Sequence, residues 1–200
     1  MKTASRPAEA APGASDVFIQ ASSEDERAAP LMEALYYEYD SRYGDDFPDE
    51  ATSEMTRYPA SIFEPPDGAF LLLLRDGEAI AGGAFKRFDA YTVEFKRIWT
   101  QADLRRQGLG RKVLDELEAR ARGRGYDRAF LTTGFRQPEA HSLYFSAGYI
   151  PLFDRNERPE VYGVLPFVKA LGLLIQPLDS GLRWAKPLDE LTLDGNRPGA

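Results

Sequence analysis

The chain has 200 residues, of which 43% are hydrophobic, and a formal net charge of −7 at pH 7. This length fits one domain that buries about 70% of its unfolded surface. The overall acidity argues against a nucleic-acid-binding protein, because such affinity rests on neutralising phosphates. The absence of cysteine excludes a disulfide framework and a cysteine nucleophile, and a single histidine argues against a metal site.

Localisation signals are lacking in the sequence. No apolar run approaches the roughly 20 residues of a membrane span. The first residues lack the apolar core of a secretory signal. We therefore expect a cytoplasmic protein.

The first half begins with an Ala-, Pro- and Ser-rich stretch, residues 1–15, that we expect to be disordered. A short strand is predicted over residues 16–21, and a helix over 29–42 with Pro30 tolerated in its first turn. Residues 44–68 contain four prolines and are expected to be mostly irregular.

A hairpin is predicted over residues 70–85. Its two strands flank Asp76-Gly77, a dipeptide that favours a turn with positive φ at both positions. The next strand, Thr92 to Thr100, breaks its alternation at Lys96-Arg97. A β-bulge explains this break and would splay the strand from its neighbour.

The central feature is the segment Arg105-Arg106-Gln107-Gly108-Leu109-Gly110-Arg111 and the helix that follows it. Apolar residues recur there at helical spacing. Paired glycines let the backbone approach a ligand, and the first N–H groups of a helix lack internal partners and attract anions. The loop alone fits either a phosphate site or a plain helix start with a basic rim.

The second half continues with a strand over residues 128–133, a helix from Gln137 with Pro138 in its first turn, and a strand from Tyr149. Residues 164–171 or 182–188 form the last strand, and length favours the first segment.

Charge is distributed unevenly along the chain. Residues 24–54 contain eleven acidic residues against two arginines, whereas residues 104–128 contain eight basic and four acidic residues. This uneven distribution suits a basic pocket that binds an anionic cofactor, next to an acidic surface that attracts a cationic acceptor. A solvated acidic helix face explains the first stretch equally well.

Three motifs resemble those of the GNAT acetyltransferase superfamily. The glycine loop resembles the Arg/Gln-x-x-Gly-x-Gly/Ala loop that holds the pyrophosphate of acetyl-coenzyme A (acetyl-CoA). Residues 137–149, Gln-Pro-Glu-Ala-His-Ser-Leu-Tyr-Phe-Ser-Ala-Gly-Tyr, resemble the second motif, Asn/Gln-x-x-Ala-x-x-Leu-Tyr-x-x-x-Gly-Phe/Tyr. Residues 94–100, Glu-Phe-Lys-Arg-Ile-Trp-Thr, resemble a run found in many bacterial members.

This resemblance implies one α/β (α+β) domain over residues 16–171, with residues 172–200 as an extension. Its mixed, mostly antiparallel sheet would have six to seven strands, a splay between the fourth and fifth strands, and helices on both faces. It also implies acetyl-CoA as co-substrate and no metal. The implied cofactor-binding residues are Ile98, Trp99, Thr100, Arg105, Arg106, Gln107, Gly108, Leu109, Gly110, Arg111, Gln137 and Tyr144.

The implied reaction is direct transfer of an acetyl group to an amine. It needs a base, donors for the developing oxyanion and an acid for the leaving thiolate. We assign the base to Glu94 and the acid to Tyr144, which matches the motif tyrosine. The candidate acceptor contacts are Tyr37, Arg42, Tyr43 and Phe47.

Two other functions compete with an N-acetyltransferase. One is a non-catalytic acyl-CoA-binding module that acts through a protein partner, and the other is a nucleic-acid-binding protein that uses the arginine-rich loop. The sequence does not distinguish between small amines and peptides as the acceptor. The acidic stretch favours a cationic one. Dimers are common in the superfamily, so a homodimer is one expected assembly.

Overall fold

The computed structural model describes residues 15–44 and 50–188, apart from the side chains of residues 50, 51 and 53. Seven strands form one sheet in the order β1-β2-β3-β4-β5-β7-β6. The strands are β1 Val17–Gln20, β2 Ala69–Arg75, β3 Glu78–Arg87, β4 Thr92–Thr100, β5 Arg128–Gly134, β6 Ile150–Pro151 and β7 Val164–Ala170. Only β4 and β5 pair in parallel among these strands; the other neighbours are antiparallel.

Helices cover both faces of this sheet. They are α1 Ala29–Tyr43, α2 Glu50–Thr56, α3 Leu109–Gly123 and α4 Pro138–Ser146. Alternate residues of β2 enter different cores, because successive strand side chains point to opposite faces. Leu71 and Leu73 pack in the core that contains α3, whereas Phe70 and Leu72 pack in the core that contains α1. The predicted fold class is therefore confirmed.

The hairpin between β2 and β3 turns at Asp76 and Gly77, as predicted. Their φ angles are +52° and +88°, and positive values at both positions match the right-handed twist of the strands. This turn joins β2 to β3, and the other edge of β3 pairs with β4.

A bulge interrupts the pairing of β3 with β4. Gly82 pairs with Trp99 and Ala84 with Lys96, so Gly83 opposes two residues, Arg97 and Ile98. Arg97 has a φ of +58°, which belongs to the left-handed region. The bulge predicted from the broken alternation is confirmed.

The last strand, β7, is the first of the two predicted alternatives. Residues 172–188 follow it as an irregular segment, the C-terminal segment, which packs on the sheet. Buried Arg128 donates through Nη1 to the carbonyl oxygens of Pro177 (3.1 Å) and Ser180 (2.8 Å). Leu178 and Leu182 pack against a small buried cluster formed by β5, β7 and the residue after β6. The domain therefore uses this segment to cover apolar side chains.

No helix within the described residues has the length and apolar character that crossing a bilayer requires.

Candidate active site

A cavity of about 1550 Å³ opens where β4 and β5 separate. The two strands pair only from Thr92 with Arg128 to Phe95 with Leu131, although β4 continues to Thr100 and β5 to Gly134. Beyond the last pair, these strands present their backbones to the space between them. The predicted splay is confirmed, and it supplies a groove that a long flexible ligand can enter.

The start of α3 forms one end of the cavity. Gly108 is the N-cap residue, with a φ of +80°, and no side chain caps the helix. The first helical hydrogen bond runs from the Lys112 N–H to the Gly108 carbonyl oxygen (3.1 Å). The amides before Lys112 therefore lack acceptors within the helix, and this end of the helix attracts anions.

The second glycine of this loop has a packing role. An added Cβ at Gly110 would lie 3.2 Å from Leu143 Cδ2 and 3.7 Å from Thr100 Oγ1. The contact with Leu143 is tight and the one with Thr100 is an ordinary van der Waals contact, so Gly110 lets α3 approach α4 beside the end of β4. The two glycines thus act differently: Gly108 supplies a backbone conformation and Gly110 supplies space.

Arginines surround the same end. Arg105 donates to Glu38 Oε2 (2.9 Å), and Arg111 donates to Asp115 Oδ1 (2.8 Å) and to the Ser146 carbonyl oxygen (3.2 Å). These ion pairs are half-exposed, so they exchange readily for a ligand phosphate. The charge around the loop is consistent with an anion site.

Tyr144 lies on α4, is 6% exposed and lines the cavity. Its ring packs against Tyr149 and Phe167, at centroid distances of 5.9 and 5.6 Å. None of the hydrogen bonds among the described residues involves its hydroxyl. Burial, with a smaller contribution from Glu38, raises the pKa of Tyr144, so the phenol keeps its proton at neutral pH.

Glu94 lies in a buried ion-pair cluster. Its carboxylate contacts Lys86 Nζ (2.7 Å) and Lys96 Nζ (3.2 Å), and Lys96 also contacts Glu54 (3.3 Å). Both ammonium groups lie over the Tyr58 ring. Burial raises the pKa of Glu94, but the two lysines lower it by more, and the resulting pKa is below its ordinary value.

The sequence of the domain that contains this cavity matches a known protein family. A sequence model of the Acetyltransferase (GNAT) family covers residues 32–149, more than half of the chain. The chain belongs to the GNAT acetyltransferase family. The predicted resemblance is therefore confirmed.

Two similar proteins are named as acetyltransferases. An IAA acetyltransferase from Azospirillum brasilense is 30% identical over 127 residues, which are 62% of this chain and 81% of the relative. The uncharacterised N-acetyltransferase YsnE of Bacillus subtilis (strain 168) is 36% identical over 90 residues, which are 42% of this chain and 60% of the relative.

Solved GNAT structures have the same fold at low identity. An acetyltransferase from Streptococcus agalactiae 2603 has a TM-score of 0.61 at 18% identity and covers 78% of this chain and 98% of that one. The PaiA N-acetyltransferase of Thermoplasma acidophilum, solved in complex with coenzyme A, has a TM-score of 0.57 at 17% identity, with 78% and 99% coverage.

Most of the cofactor-binding residues predicted for this GNAT protein meet in the cavity. The lining includes Ile98, Trp99, Thr100, Arg105, Arg106, Gly108, Leu109, Gly110, Arg111, Gln137 and Tyr144. Gln107 is exposed and does not belong to the lining. Gln137 Oε1 accepts from Thr133 Oγ1 (2.6 Å) and from the Gly134 N–H (3.1 Å), so its side chain fixes the turn between β5 and α4.

The two predicted catalytic residues do not both line the cavity. Tyr144 belongs to the cavity lining, whereas Glu94 does not, although the neighbouring residues from Phe95 onwards do. Glu54, by contrast, lines the cavity, and it contacts the same ammonium group as Glu94, that of Lys96. The role of Glu94 as base stays a prediction, and its low pKa and its ion pairs weigh against it.

The predicted acceptor residues separate into three groups. Arg42 and Tyr43 line the cavity, Tyr37 lies outside it with 67% of its surface exposed, and Phe47 falls outside the described residues. Arg42 pairs with Glu38 and Glu139. The Tyr43 hydroxyl accepts from the Arg136 N–H (3.1 Å). Both residues therefore join α1 to the turn before α4.

Sequence reasoning missed several lining residues. They include Glu38, Tyr39, Glu54, Lys96, Arg97, Arg183 and Lys186. The broken alternation at Lys96-Arg97 was a usable signal, because a bulge redirects side chains. No local pattern indicated that the C-terminal segment reaches the cavity.

Proposed function

We propose that this protein transfers the acetyl group of acetyl-CoA to the nitrogen of a primary amine. The observation that carries the proposal is that the start of α3, which no described side chain caps, lines the same cavity as Tyr144, whose hydroxyl has no hydrogen-bond partner among the described residues. One feature binds a diphosphate and the other supplies a proton. Membership of the GNAT family and the acetyltransferase names of its relatives support the same activity.

The described residues fit coenzyme A. Gly108 leaves open space where a Cβ would project, since no atom of the described residues lies within 4 Å of that position. The unbonded amides of the loop and the arginines beside it would hold the diphosphate. The separated edges of β4 and β5 would accept the amide groups of the pantetheine arm through backbone hydrogen bonds.

Acetyl-CoA, when bound, supplies an activated thioester. In the reaction a C–N bond forms, the C–S bond breaks, the amine loses a proton and the departing sulfur gains one. Tyr144 holds the proton for the sulfur at Oη, and its raised pKa keeps this proton in place until it is needed. No residue has to bond covalently to the acetyl group.

Replacing Tyr144 by phenylalanine is expected to lower kcat about 100-fold, which is the lower range for loss of a general acid. Coenzyme A affinity and thermal stability should change little, because the hydroxyl has no hydrogen-bond partner among the described residues. Turnover is measured by release of the coenzyme A thiol, and affinity by calorimetric titration.

Tyr149→Phe is the matched control. Tyr149 is also buried, but its hydroxyl donates to Glu118 (3.2 Å) and it does not line the cavity. This variant should lose some stability and keep its kcat. Equal kcat values for Tyr144→Phe and wild type would remove the acid role of Tyr144.

The base in this proposal is one of the two carboxylates that contact the Lys96 ammonium group, Glu54 or Glu94. Glu94 is the residue predicted from the sequence, and it would act through water because it does not line the cavity. Glu54 lines the cavity directly and contacts the same ammonium group. Glu54→Gln and Glu94→Gln, compared by kcat, distinguish the two assignments.

The whole proposal is tested by a thiol-release assay over a panel of small amines, amino acids and peptides. We expect acetyl-CoA-dependent turnover with at least one class. Tight coenzyme A binding without turnover on any amine would contradict catalysis and support a non-catalytic acyl-CoA-binding module. A cytoplasmic location and a homodimer stay predictions.

A further inference from the structure

Arg97 is a buried cation without a carboxylate partner among the described residues. It is 9% exposed, its Nη2 donates to the Met55 carbonyl oxygen (3.1 Å), and its guanidinium carbon lies 4.7 Å from the centroid of the Phe63 ring. Its Nη1 is buried without a hydrogen-bond partner. The residue nevertheless belongs to the cavity lining.

Other buried cations described here are neutralised. Lys86 and Lys96 contact Glu94, and Arg128 lies 3.5 Å from carboxylate oxygens of both Asp89 and Asp127. Burying a charge without a counterion is costly, so proteins pair such charges or reserve them for a ligand. Glu54 attracts the Arg97 charge at longer range, but no described carboxylate forms an ion pair with it, so Arg97 contributes positive potential to the cavity wall.

The C-terminal segment adds a second cation to the cavity lining. Glu94 and Phe130 are partners in the β4–β5 ladder, so their side chains share a face, and Lys96 follows on that face two residues later. Leu182 packs against the small core that contains Phe130. The next residue, Arg183, lines the cavity and makes no ion pair with a described residue.

The acids of the cavity are mostly occupied already. Glu38 pairs with Arg42 and Arg105, Glu54 with Lys96, and Glu139 with Arg42, whereas Glu160 has no ion pair among the described residues. Among the described acids that line the cavity, only Glu160 is therefore left without an ion pair, whereas Arg97 and Arg183 form no ion pair with a described residue. This balance of the described lining residues favours a negatively charged group on the acceptor.

We propose that the acceptor is an amine that also carries a carboxylate, and that Arg97 and Arg183 select it by their charge. The inference rests on the proposed amine acetylation and adds the acceptor class to it. Residues of α1 and Glu54 of α2 line the same cavity as Arg183, Ala185, Lys186 and Leu188 of the C-terminal segment. A guanidinium suits this task because it stays charged and matches carboxylate geometry.

The test uses matched acceptors and the full-length protein. Each amino acid of a panel is compared with its primary amide and with the amine that lacks the carboxyl group. We expect kcat/KM for the best amino acid to exceed that of its amide at least about tenfold. Arg183→Gln and Arg97→Met should each reduce this ratio about tenfold, mainly through the KM of the amino acid, and should lower turnover of the amide far less.

The control variant is Arg158→Gln, because Arg158 is exposed and does not line the cavity. Its acceptor preference should match that of wild type. Calorimetric titration of the preferred amino acid into protein saturated with coenzyme A gives a second readout, in which both test variants should bind it more weakly. Their coenzyme A affinity should remain that of wild type.

The outcomes distinguish a failure of the carboxylate assignment from a failure of the proposed amine acetylation. Equal turnover of amino acids and amides, or an equal loss on both acceptor types in the variants, would overturn the carboxylate assignment and leave amine acetylation intact. Absence of turnover with every amine would instead overturn the proposed function.

Discussion

Replacing Gly108 by valine is expected to weaken coenzyme A binding at least about 100-fold, or about 2.7 kcal/mol, while the protein still folds. Within the part of the chain that the structure describes, a Cβ at this position meets no atom within 4 Å, so the new side chain would project into open space where the ligand phosphates would lie. The φ of +80° also disfavours a β-branched residue and would tilt the amides of the loop. Binding is measured by calorimetry.

Gly125→Val is the matched control for this experiment. Gly125 lies just beyond the other end of α3, has a φ of +89°, and likewise leaves its Cβ position open. Each substitution should cost about 1–2 kcal/mol of stability, because left-handed backbone disfavours L side chains. Only Gly108→Val should lose coenzyme A. Similar affinities for both variants would refute a phosphate site at this loop.

Replacing Glu94 by glutamine is expected to lower the free energy of unfolding by about 3 kcal/mol. The side chain is 9% exposed, and its carboxylate is the counterion of Lys86 and shares Lys96 with Glu54. Removing one member of a buried ion pair leaves an uncompensated charge, which costs more than the pair contributes. Chemical denaturation measures the loss, and kcat is recorded on the same samples.

A double variant separates the structural from the catalytic role of Glu94. Lys86→Met combined with Glu94→Gln should recover part of the stability, because Lys96 keeps Glu54 as its counterion. A kcat that stays at least about 100-fold low in the recovered protein would support the base role, and a kcat restored with stability would assign the base to another group. Glu116→Gln, which breaks the exposed pair with Arg120, should cost less than about 0.5 kcal/mol.

The same cluster makes stability depend on acid pH. The pKa of Glu94 is lowered in the folded protein from an ordinary value of 4.5. Its contribution is therefore complete above about pH 4.5 and is lost as pH falls through the lower folded value. The stability difference between wild type and Glu94→Gln should shrink over that acidic range, and a constant difference would contradict the ion-pair account.

Local sequence patterns predicted the features that depend on neighbouring residues. The apolar residues Leu109, Val113, Leu114, Leu117 and Ala121 are all buried on α3. The dipeptide Asp76-Gly77 specified the hairpin, and the broken alternation at Lys96-Arg97 specified the bulge. Each prediction succeeded because backbone conformation and side-chain periodicity are set within a few residues.

The surroundings of the site residues required the folded chain. Glu94 was predicted to be a base, but its environment is set by Lys86 on the neighbouring strand and by Glu54 on α2. Tyr43 was predicted to contact the acceptor, but its hydroxyl reaches the Arg136 amide, 93 residues away. Strand register and helix docking bring these groups together, and neither leaves a local signature.

The sequence by itself determined the family, the fold class and the start of α3 at its glycine loop, because glycine conformation and helical periodicity are local properties. Only the tertiary structure decided which charges are paired and which are not, because pairing depends on distances between elements far apart in the chain. The two arginines of the cavity lining that form no ion pair with a described residue, Arg97 and Arg183, are the clearest case. Arg97 comes from the bulge of β4, and Arg183 comes from a segment held in place by the small core around Phe130 and by buried Arg128.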